Sequence, residues 1–224
     1  MSRFGRSAVT AVTAAVTAAL VGGSLAAPAG AQAQEPVSTA GASLGAVDIV
    51  VAGTPARAEP IAQCDVEGPT ENSSRGSGAG RHTSYGSGDT TCARDADGVS
   101  TAKASGRRFE TEVLRQFGGP VLRVRNFSAE CRTTGNGSSG YVELSGVSGF
   151  RLPSEIPPEH TITIPGRAEG DPPMAELVLN ELVAPTPPDG SLTTHALHIK
   201  LFPQGGPGGG DIFVGTATCD PYAA

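Results

Sequence analysis

The sequence predicts an all-β domain, an antiparallel β-sandwich of about nine or ten strands with long Gly/Ser/Pro loops. Three observations lead to this prediction. Apolar and polar residues alternate with a period of two over most of the chain after residue 43. Turn-forming residues interrupt the alternation repeatedly, since the chain contains 31 glycines and 18 prolines. No strong helical pattern accompanies them. A partly closed β-barrel is the alternative architecture.

The N-terminal segment, residues 1–33, is predicted to be a signal peptide. Arg3 and Arg6 provide a positive start, residues 8–21 are apolar, and residues 31–33 (Ala-Gln-Ala) offer a cleavage site. The apolar stretch is short and rich in Ala and Thr, whereas a membrane span needs about 20 strongly apolar residues. We therefore expect a secreted, extracellular protein rather than one held by an uncleaved anchor.

The remaining chain is expected to form one domain. Residues 34–42 are small and polar and are predicted to be disordered, residues 43–220 to form the sandwich, and residues 221–224 to be a tail without an anchor. Cleavage would remove two arginines and no acidic residue, which takes the formal net charge from −6 to about −8. This negative balance disfavours nonspecific binding to nucleic acid and to anionic lipid.

In the first half of this domain the predicted strands flank a long segment of low hydrophobicity. They cover residues 44–51, 61–66, 99–104, 109–117 and 121–131. Residues 67–91 are nearly free of large apolar groups and are predicted to be a flexible loop that adds little to the core. In the last strand, Leu122 and Val124 share one face, and Arg123 and Arg125 share the other.

The second half continues the pattern, with strands predicted at residues 141–147, 160–164, 174–184, 192–202 and 210–219. Residues 174–184 could form a short helix by propensity, but the flanking prolines favour a strand. Asp189 and Gly190 are typical of a tight reversal between two strands.

The four cysteines are Cys64, Cys92, Cys131 and Cys219. An even number in an exported chain indicates two disulfides, for which three pairings are possible. We favour Cys64 with Cys92, which would tie down the glycine-rich loop. Cys131 with Cys219 would then join two distant strand ends and contribute about 4 kcal/mol through chain entropy. A zinc site is disfavoured because the spacings are wide.

The segment "HALHIKLFPQGGPGGGD" contains two further candidates. On a regular strand, residues three apart point to opposite faces, so His195 should lie in the row of Leu197 and Ile199 while His198 and Lys200 face solvent. A shared metal site is therefore not expected. The glycine run joins two predicted strands rather than opening a helix, so we interpret it as a hairpin loop and not as a phosphate site.

No complete catalytic or metal signature is present, and we expect neither a catalytic residue nor a cofactor. There is no G-x-S-x-G motif. Glu110 and Glu112 could share a strand face, but the chain has no Trp and few aromatic residues for a sugar platform. Asp95 and Asp97 lie in "DADG", a fragment of a calcium loop that a plain Asp-Gly turn explains equally well.

Five segments carry a resemblance to a known family. They are "FSAEC" at residues 127–131, "TITIPG" at 161–166, "AELVLNE" at 175–181, "DGSLTTHALHI" at 189–199 and "GDIFVGTATC" at 210–219. The set resembles the choice-of-anchor P family of exported actinobacterial proteins, over residues 44–219 and most clearly after residue 120. The resemblance supports pairing of Cys131 with Cys219 and implies no established activity.

Taken together, the sequence leads us to expect a secreted, non-enzymatic β-domain, a structural or binding module of the cell envelope with no nucleic-acid partner. Its partner is not evident from the sequence, although a cell-wall component or another surface protein fits the class. One alternative is an exported hydrolase or carbohydrate-binding protein whose site is assembled from scattered residues. The other is a calcium-dependent adhesive domain that uses Asp95 and Asp97.

Overall fold

The computed structural model describes residues 37–223, which form fourteen strands and one short 3-10 helix. The predicted signal peptide and residues 34–36 lie outside the described residues. The strands are β1 (Thr39–Val51), β2 (Thr54–Ala58), β3 (Cys64–Asp65), β4 (Glu71–Ser74), β5 (Ser77–Ala79), β6 (Thr83–Tyr85), β7 (Gly88–Arg94), β8 (Ser100–Thr111), β9 (Leu122–Thr134), β10 (Gly137–Ser148), β11 (His160–Ile164), β12 (Ala175–Val183), β13 (Leu192–Leu201) and β14 (Gly208–Asp220).

The strands form two antiparallel sheets. The first sheet has the order β11-β12-β13-β14-β1-β2, and β3 also pairs with β1. The second sheet has the order β10-β9-β8-β6-β5, with β7 paired to β8 and β4 paired to β7. The two sheets pack face to face, which confirms the predicted sandwich and not the barrel. The expected nine or ten strands become fourteen in the described part, because residues 54–91 contribute several short ones.

The core lies between the sheets and is built from alternate residues of the long strands. Fully buried side chains come from both layers, including Leu44, Leu177, Leu197, Ile199 and Ile212 of the first sheet and Phe109, Leu122 and Val124 of the second. Burial of one such large apolar side chain stabilises the fold by about 1.5–3 kcal/mol. The alternation predicted around Leu122 and Val124 is present, since both are buried and Arg123 is exposed.

Each sheet contains a line at which the alternation shifts by one residue. In the second sheet the unpaired residues on this line are Arg108, Arg125 and Gly146, and in the first sheet they are Leu44, Asn180, Ala196 and Gly215. Asn180, Gly215, Arg108 and Gly146 have left-handed backbone, with φ between 52° and 64°. We call each line a transverse break. Across it, core positions are three residues apart on β9, as in Val124 and Phe127, or adjacent on β13, as in Ala196 and Leu197, instead of two apart.

The predicted disorder of residues 34–42 is wrong for the part that the structure describes. β1 begins at Thr39, and residues 39–42 pair with the last residues of β14. Ala40 and Ala42 are buried. These small side chains fit between the sheets, and the backbone gains ladder hydrogen bonds that composition alone does not reveal.

The prediction of a flexible loop at residues 67–91 is also wrong. It contains β4, β5, β6 and the start of β7, and it buries Tyr85, Thr83 and Ala79. The Tyr85 hydroxyl donates to the backbone oxygen of Phe213 at 2.7 Å. One large aromatic ring thus anchors a segment of small residues, because Gly45 opposite leaves room for the ring: a Cβ there would lie 2.5 Å from it.

The two strands predicted at residues 99–104 and 109–117 have different limits in the structure. One continuous strand, β8, runs to Thr111, and a 3-10 helix follows at Val113–Phe117. Val113 and Leu114 are adjacent and both fully buried, which a strand with alternating faces does not allow. Gly118, with φ of 84°, ends this helix by donating to the Arg115 carbonyl oxygen.

Both disulfides have the favoured pairing and both join the two sheets. Cys64 of β3 is bonded to Cys92 of β7, and Cys131 of β9 is bonded to Cys219 of β14. All four cysteines are buried. In residues 37–223 no helix is long and apolar enough to cross a membrane.

Candidate functional site

The outer face of the first sheet carries a compact group of ionisable side chains that contact one another. We define the histidine cluster as Glu181 of β12, His195 and His198 of β13, and Asp211 of β14. Lys200 and Phe213 lie beside it. Strand pairing places Glu181, His195 and Thr216 in one row and Val178, His198 and Phe213 in the next.

The prediction that His195 and His198 point to opposite faces is wrong. Their ring centroids are 6.0 Å apart, and both rings pack against Phe213, at 4.6 and 4.3 Å. The cause is the transverse break at Ala196, where Ala196 and Leu197 are both in the core. The alternation shifts between them, so residues three apart share a face. His195 therefore leaves the core row in which a regular strand would place it.

His198 is held between two carboxylates. Its Nδ1 lies 2.8 and 2.9 Å from the two oxygens of Glu181, and its Nε2 lies 2.8 Å from Oδ1 of Asp211. The two nitrogens can donate to their carboxylates at the same time only in the imidazolium form, which has two N–H groups. Charge-assisted hydrogen bonds of this kind are about twice as strong as neutral ones. The arrangement fixes the ring and leaves it no free lone pair.

His195 is next to His198 on the same face, but its environment differs from that of His198. It is buried, and its Nδ1 lies 3.0 Å from Oγ1 of Thr216. Burial lowers the pKa of His195 to about 4, and nearby His198 adds to this while Glu181 opposes it. At neutral pH this imidazole is therefore uncharged.

Burial and the neighbouring side chains shift the pKa of Glu181 in opposite directions. Desolvation disfavours its charged form, but the hydrogen bond from His198 and the positive charges near it outweigh this effect and hold its pKa below the usual range. Its Oε1 also lies 3.7 Å from Nζ of Lys200. Glu181 is therefore the acceptor around which the cluster is arranged.

The geometry of the histidine cluster opposes metal coordination. Both nitrogens of His198 are engaged with carboxylates, and in residues 37–223 no group of three or more His, Cys, Asp or Glu side chains is placed to hold a metal ion. Glu181 and His198 are nearly inaccessible, and only Asp211 reaches solvent, with 47% of its side chain exposed. Asp211 borders a shallow cavity of about 540 Å³ formed with Gly206 and its glycine neighbours.

The glycine run belongs to the connection between β13 and β14 and to the first residues of β14. The glycine run thus forms the hairpin connection that the sequence predicted. Gly210 has φ of 100°, and a Cβ there would lie 2.2 Å from the backbone oxygen of Asp48. The strands β1 and β14 approach each other at this point only because no side chain separates them.

The carboxylate pairs considered from the sequence do not form a joint site. Glu110 of β8 binds Arg123 at 2.8 and 3.0 Å, which lowers the pKa of Glu110. Glu112 lies beyond β8 and is 3.6 Å from Arg115.

Asp95 and Asp97 lie in a tight turn between β7 and β8. The Oδ1 atom of Asp95 accepts hydrogen bonds from the backbone N–H groups of Asp97 and Val99, at 3.0 and 2.9 Å. These contacts are those of an ordinary Asx turn. They engage one of the two carboxylate oxygens of Asp95.

A second candidate lies on the outer face of the other sheet. A polar groove of about 560 Å³ crosses β7, β8, β9 and β10 there. Its central row consists of Asp89, Ser105, Ser128 and Glu143, which are paired in register across the four strands. Arg107 and Lys103 also line it. Sequence reasoning did not identify this groove, because the four residues come together only through the pairing of the strands.

Comparison with known proteins adds no assignment: no family model matches the chain, and no curated protein or solved structure is similar enough to be paired with it.

Proposed function

We propose that this protein is a secreted, non-enzymatic binding module of the cell envelope. The main support is the polar groove, because it offers an open row of hydroxyl and carboxylate groups on a rigid sheet. Open, polar surfaces of this kind suit a long polymer better than a small substrate, for which enclosed and mostly apolar cavities are typical. The resemblance to the choice-of-anchor P family and the two disulfides are consistent with a role outside the cell.

A hydrolase is the less favoured function, although Glu181, His198 and Asp211 lie in contact. General acid–base catalysis requires a side chain within hydrogen-bond reach of the substrate. Glu181 and His198 have only 9% of their side chains exposed, and each is already engaged by the other. The network therefore supports a structural role for these residues.

A sedimentation assay tests the proposed function. The purified protein is mixed with insoluble cell-wall material from which proteins have been removed by boiling detergent and protease, and the bound fraction is measured. We expect saturable retention that an unrelated acidic protein of similar size does not show. Absence of retention on all wall fractions would contradict the proposal, and so would turnover of a wall polymer by the purified protein.

A further inference from the structure

The outer face of the second sheet contains an unusual group of basic residues. Arg107 and Arg108 are consecutive on β8, and Arg125 lies on the neighbouring strand β9, with Asn126 next to it. All four are exposed, because the transverse break turns two consecutive residues outward on each strand. On a regular strand one residue of each pair would point into the core. The break thus concentrates three guanidinium groups on two adjacent strands.

These three arginines have no counter-ion within residues 37–223. None of them forms an ion pair or a side-chain hydrogen bond there, whereas Arg123 beside them binds Glu110, and Lys103 lies 3.2 Å from Glu130. The whole chain has a formal charge of −6, so carboxylates are abundant elsewhere. Neighbouring cations repel one another, and an anion between them would remove this repulsion.

The arginines line two adjoining cavities. Arg107 borders the polar groove of about 560 Å³, and Arg108 and Arg125 border a cavity of about 440 Å³. The two cavities are neighbours on the sheet. On each of the strands β8, β9 and β10, the residues that line one cavity directly follow or precede those that line the other. A ligand that pairs with the guanidinium groups therefore also meets the serine hydroxyls at the floor of the groove, Ser105, Ser128 and Ser145.

The chemistry of the surface selects one class of polymer. Guanidinium groups form bidentate contacts with carboxylates and phosphates, while serine and asparagine side chains exchange hydrogen bonds with hydroxyl groups, so a ligand with both acidic groups and hydroxyls fits best. The acidic ends of the groove, Asp89 and Glu143, accept hydrogen bonds from sugar hydroxyls, which a polyphosphate chain lacks. Tyr141, an exposed aromatic residue of β10, flanks the groove and donates its hydroxyl to Oε1 of Glu143 at 3.1 Å. The strand spacing of about 4.8 Å is close to the length of one sugar ring.

We propose that the outer face of the second sheet binds a linear polysaccharide that carries carboxylate groups, a polyuronate, across strands β7 to β10. Arg107, Arg108 and Arg125 pair with its carboxylates. Ser105, Ser128 and Asn126 contact its ring hydroxyls. This inference rests on the proposed binding function and specifies its ligand.

Calorimetric titration with polygalacturonate as the probe tests the inference, with dextran as the neutral polymer and inorganic polyphosphate as the phosphate polymer. We expect saturable binding of polygalacturonate that weakens as salt is added and no binding of dextran. The double variant Arg107→Gln/Arg125→Gln should bind about tenfold more weakly or worse, since two charge-assisted contacts are lost. Both positions are exposed and unpaired, so the variant is expected to fold normally, which its circular dichroism and melting temperature check.

The matched control is Arg75→Gln/Arg81→Gln, which removes the same charge from exposed positions outside the groove. It should retain wild-type affinity. Equal losses in both double variants, or polyphosphate binding as tight as polygalacturonate binding, would overturn the inference, because either result indicates nonspecific attraction. If the protein sediments with cell walls but the Arg107/Arg125 variant sediments equally well, the binding function stands and the polyuronate site fails. If the protein binds neither walls nor polygalacturonate, both fail.

Discussion

Among single residues, His195 and His198 have different hydrogen-bond partners although both are buried on one face. His198 donates to two carboxylates, whereas His195 is hydrogen-bonded to the Thr216 hydroxyl and its Nε2 lies 4.0 Å from Oε2 of Glu181. The pKa of His195 is lowered to about 4. In the unfolded chain a histidine takes up a proton near pH 6.5. Between these values the unfolded state binds more protons than the folded state, so acid favours unfolding.

The first prediction concerns the acid response of this residue. His195→Asn removes the titrating group and keeps a side chain that can reach Thr216. Wild-type stability should be fully present above about pH 6.5 and fall by about 2 kcal/mol by pH 4.5 through this residue alone. The variant should lack this part of the decline. Urea unfolding at pH 7.5 and 4.5 measures the difference.

Glu181 acts in the same direction at lower pH, because a lowered carboxylate pKa gives stability that is lost as that group protonates. His160→Asn at the half-exposed start of β11 is the matched control for loss of a histidine outside the cluster. An unchanged pH slope in His195→Asn would show that His195 is not buried in its neutral form.

Among the strands, the transverse breaks determine which side chains reach the outer faces. In the second sheet the break exposes Arg107 with Arg108, and in the first it places His195 beside His198. The sequence contains a signal for both breaks: apolar residues three apart, as from Val124 to Phe127 or from Val214 to Ala217, which the structure shows to be buried. A strict period-two interpretation misses this signal, because it treats each strand as uninterrupted.

The second prediction tests the break of the first sheet. Gly215 of β14 has φ of 64°, and a Cβ there would lie 3.1 Å from the Phe127 ring and 3.2 Å from Cβ of Ala196. Gly215→Ala should therefore cost about 2 kcal/mol in unfolding free energy, from the left-handed backbone and the tight contacts combined. Chemical denaturation at neutral pH gives this value.

Gly209→Ala on the same strand is the matched control. Its backbone is not left-handed, and a Cβ would have only the Leu201 backbone oxygen near it, at 4.0 Å. We expect a change within about 0.5 kcal/mol, as for other substitutions away from special features. Similar costs for the two variants would mean that the conformation at Gly215 is not required.

The short strands β4 to β6 show where prediction from composition fails. Their segment has few large apolar groups, so its core contribution depends on one ring, Tyr85, packed 5.1 Å from Phe109. The strands β11 to β14 were predicted well because their alternating apolar residues and turn residues act locally. A strand that is stabilised mainly by a single distant contact leaves no such periodic signature.

In the whole molecule, the two disulfides join the sheets across the core. Chain entropy stabilises the folded state more when the closed loop is longer. The separation is 88 residues for Cys131 and Cys219 but 28 for Cys64 and Cys92. By this chain-entropy term, the bridge between Cys131 and Cys219 contributes about 4.6 kcal/mol to the free energy of unfolding, and the bridge between Cys64 and Cys92 about 3.6 kcal/mol.

The third prediction compares the two bridges by paired substitution. Cys131→Ala/Cys219→Ala should destabilise the protein by about 1 kcal/mol more than Cys64→Ala/Cys92→Ala, measured by urea unfolding. All four side chains are buried, so the packing losses are similar and the comparison isolates the loop length. Nonreducing mass spectrometry of the wild type should detect no free thiol. Four free thiols, or the reverse order of stability, would contradict this account.

The sequence by itself determined the all-β class, most of the long strands and the presence of two disulfides, because these depend on local alternation, turn chemistry and an even cysteine count. Only the tertiary structure decided which polar residues meet. The histidine cluster draws on β12, β13 and β14, and the arginines of the groove on β8 and β9. Strand pairing and the transverse breaks set these contacts, and both result from packing between sheets rather than from any one segment.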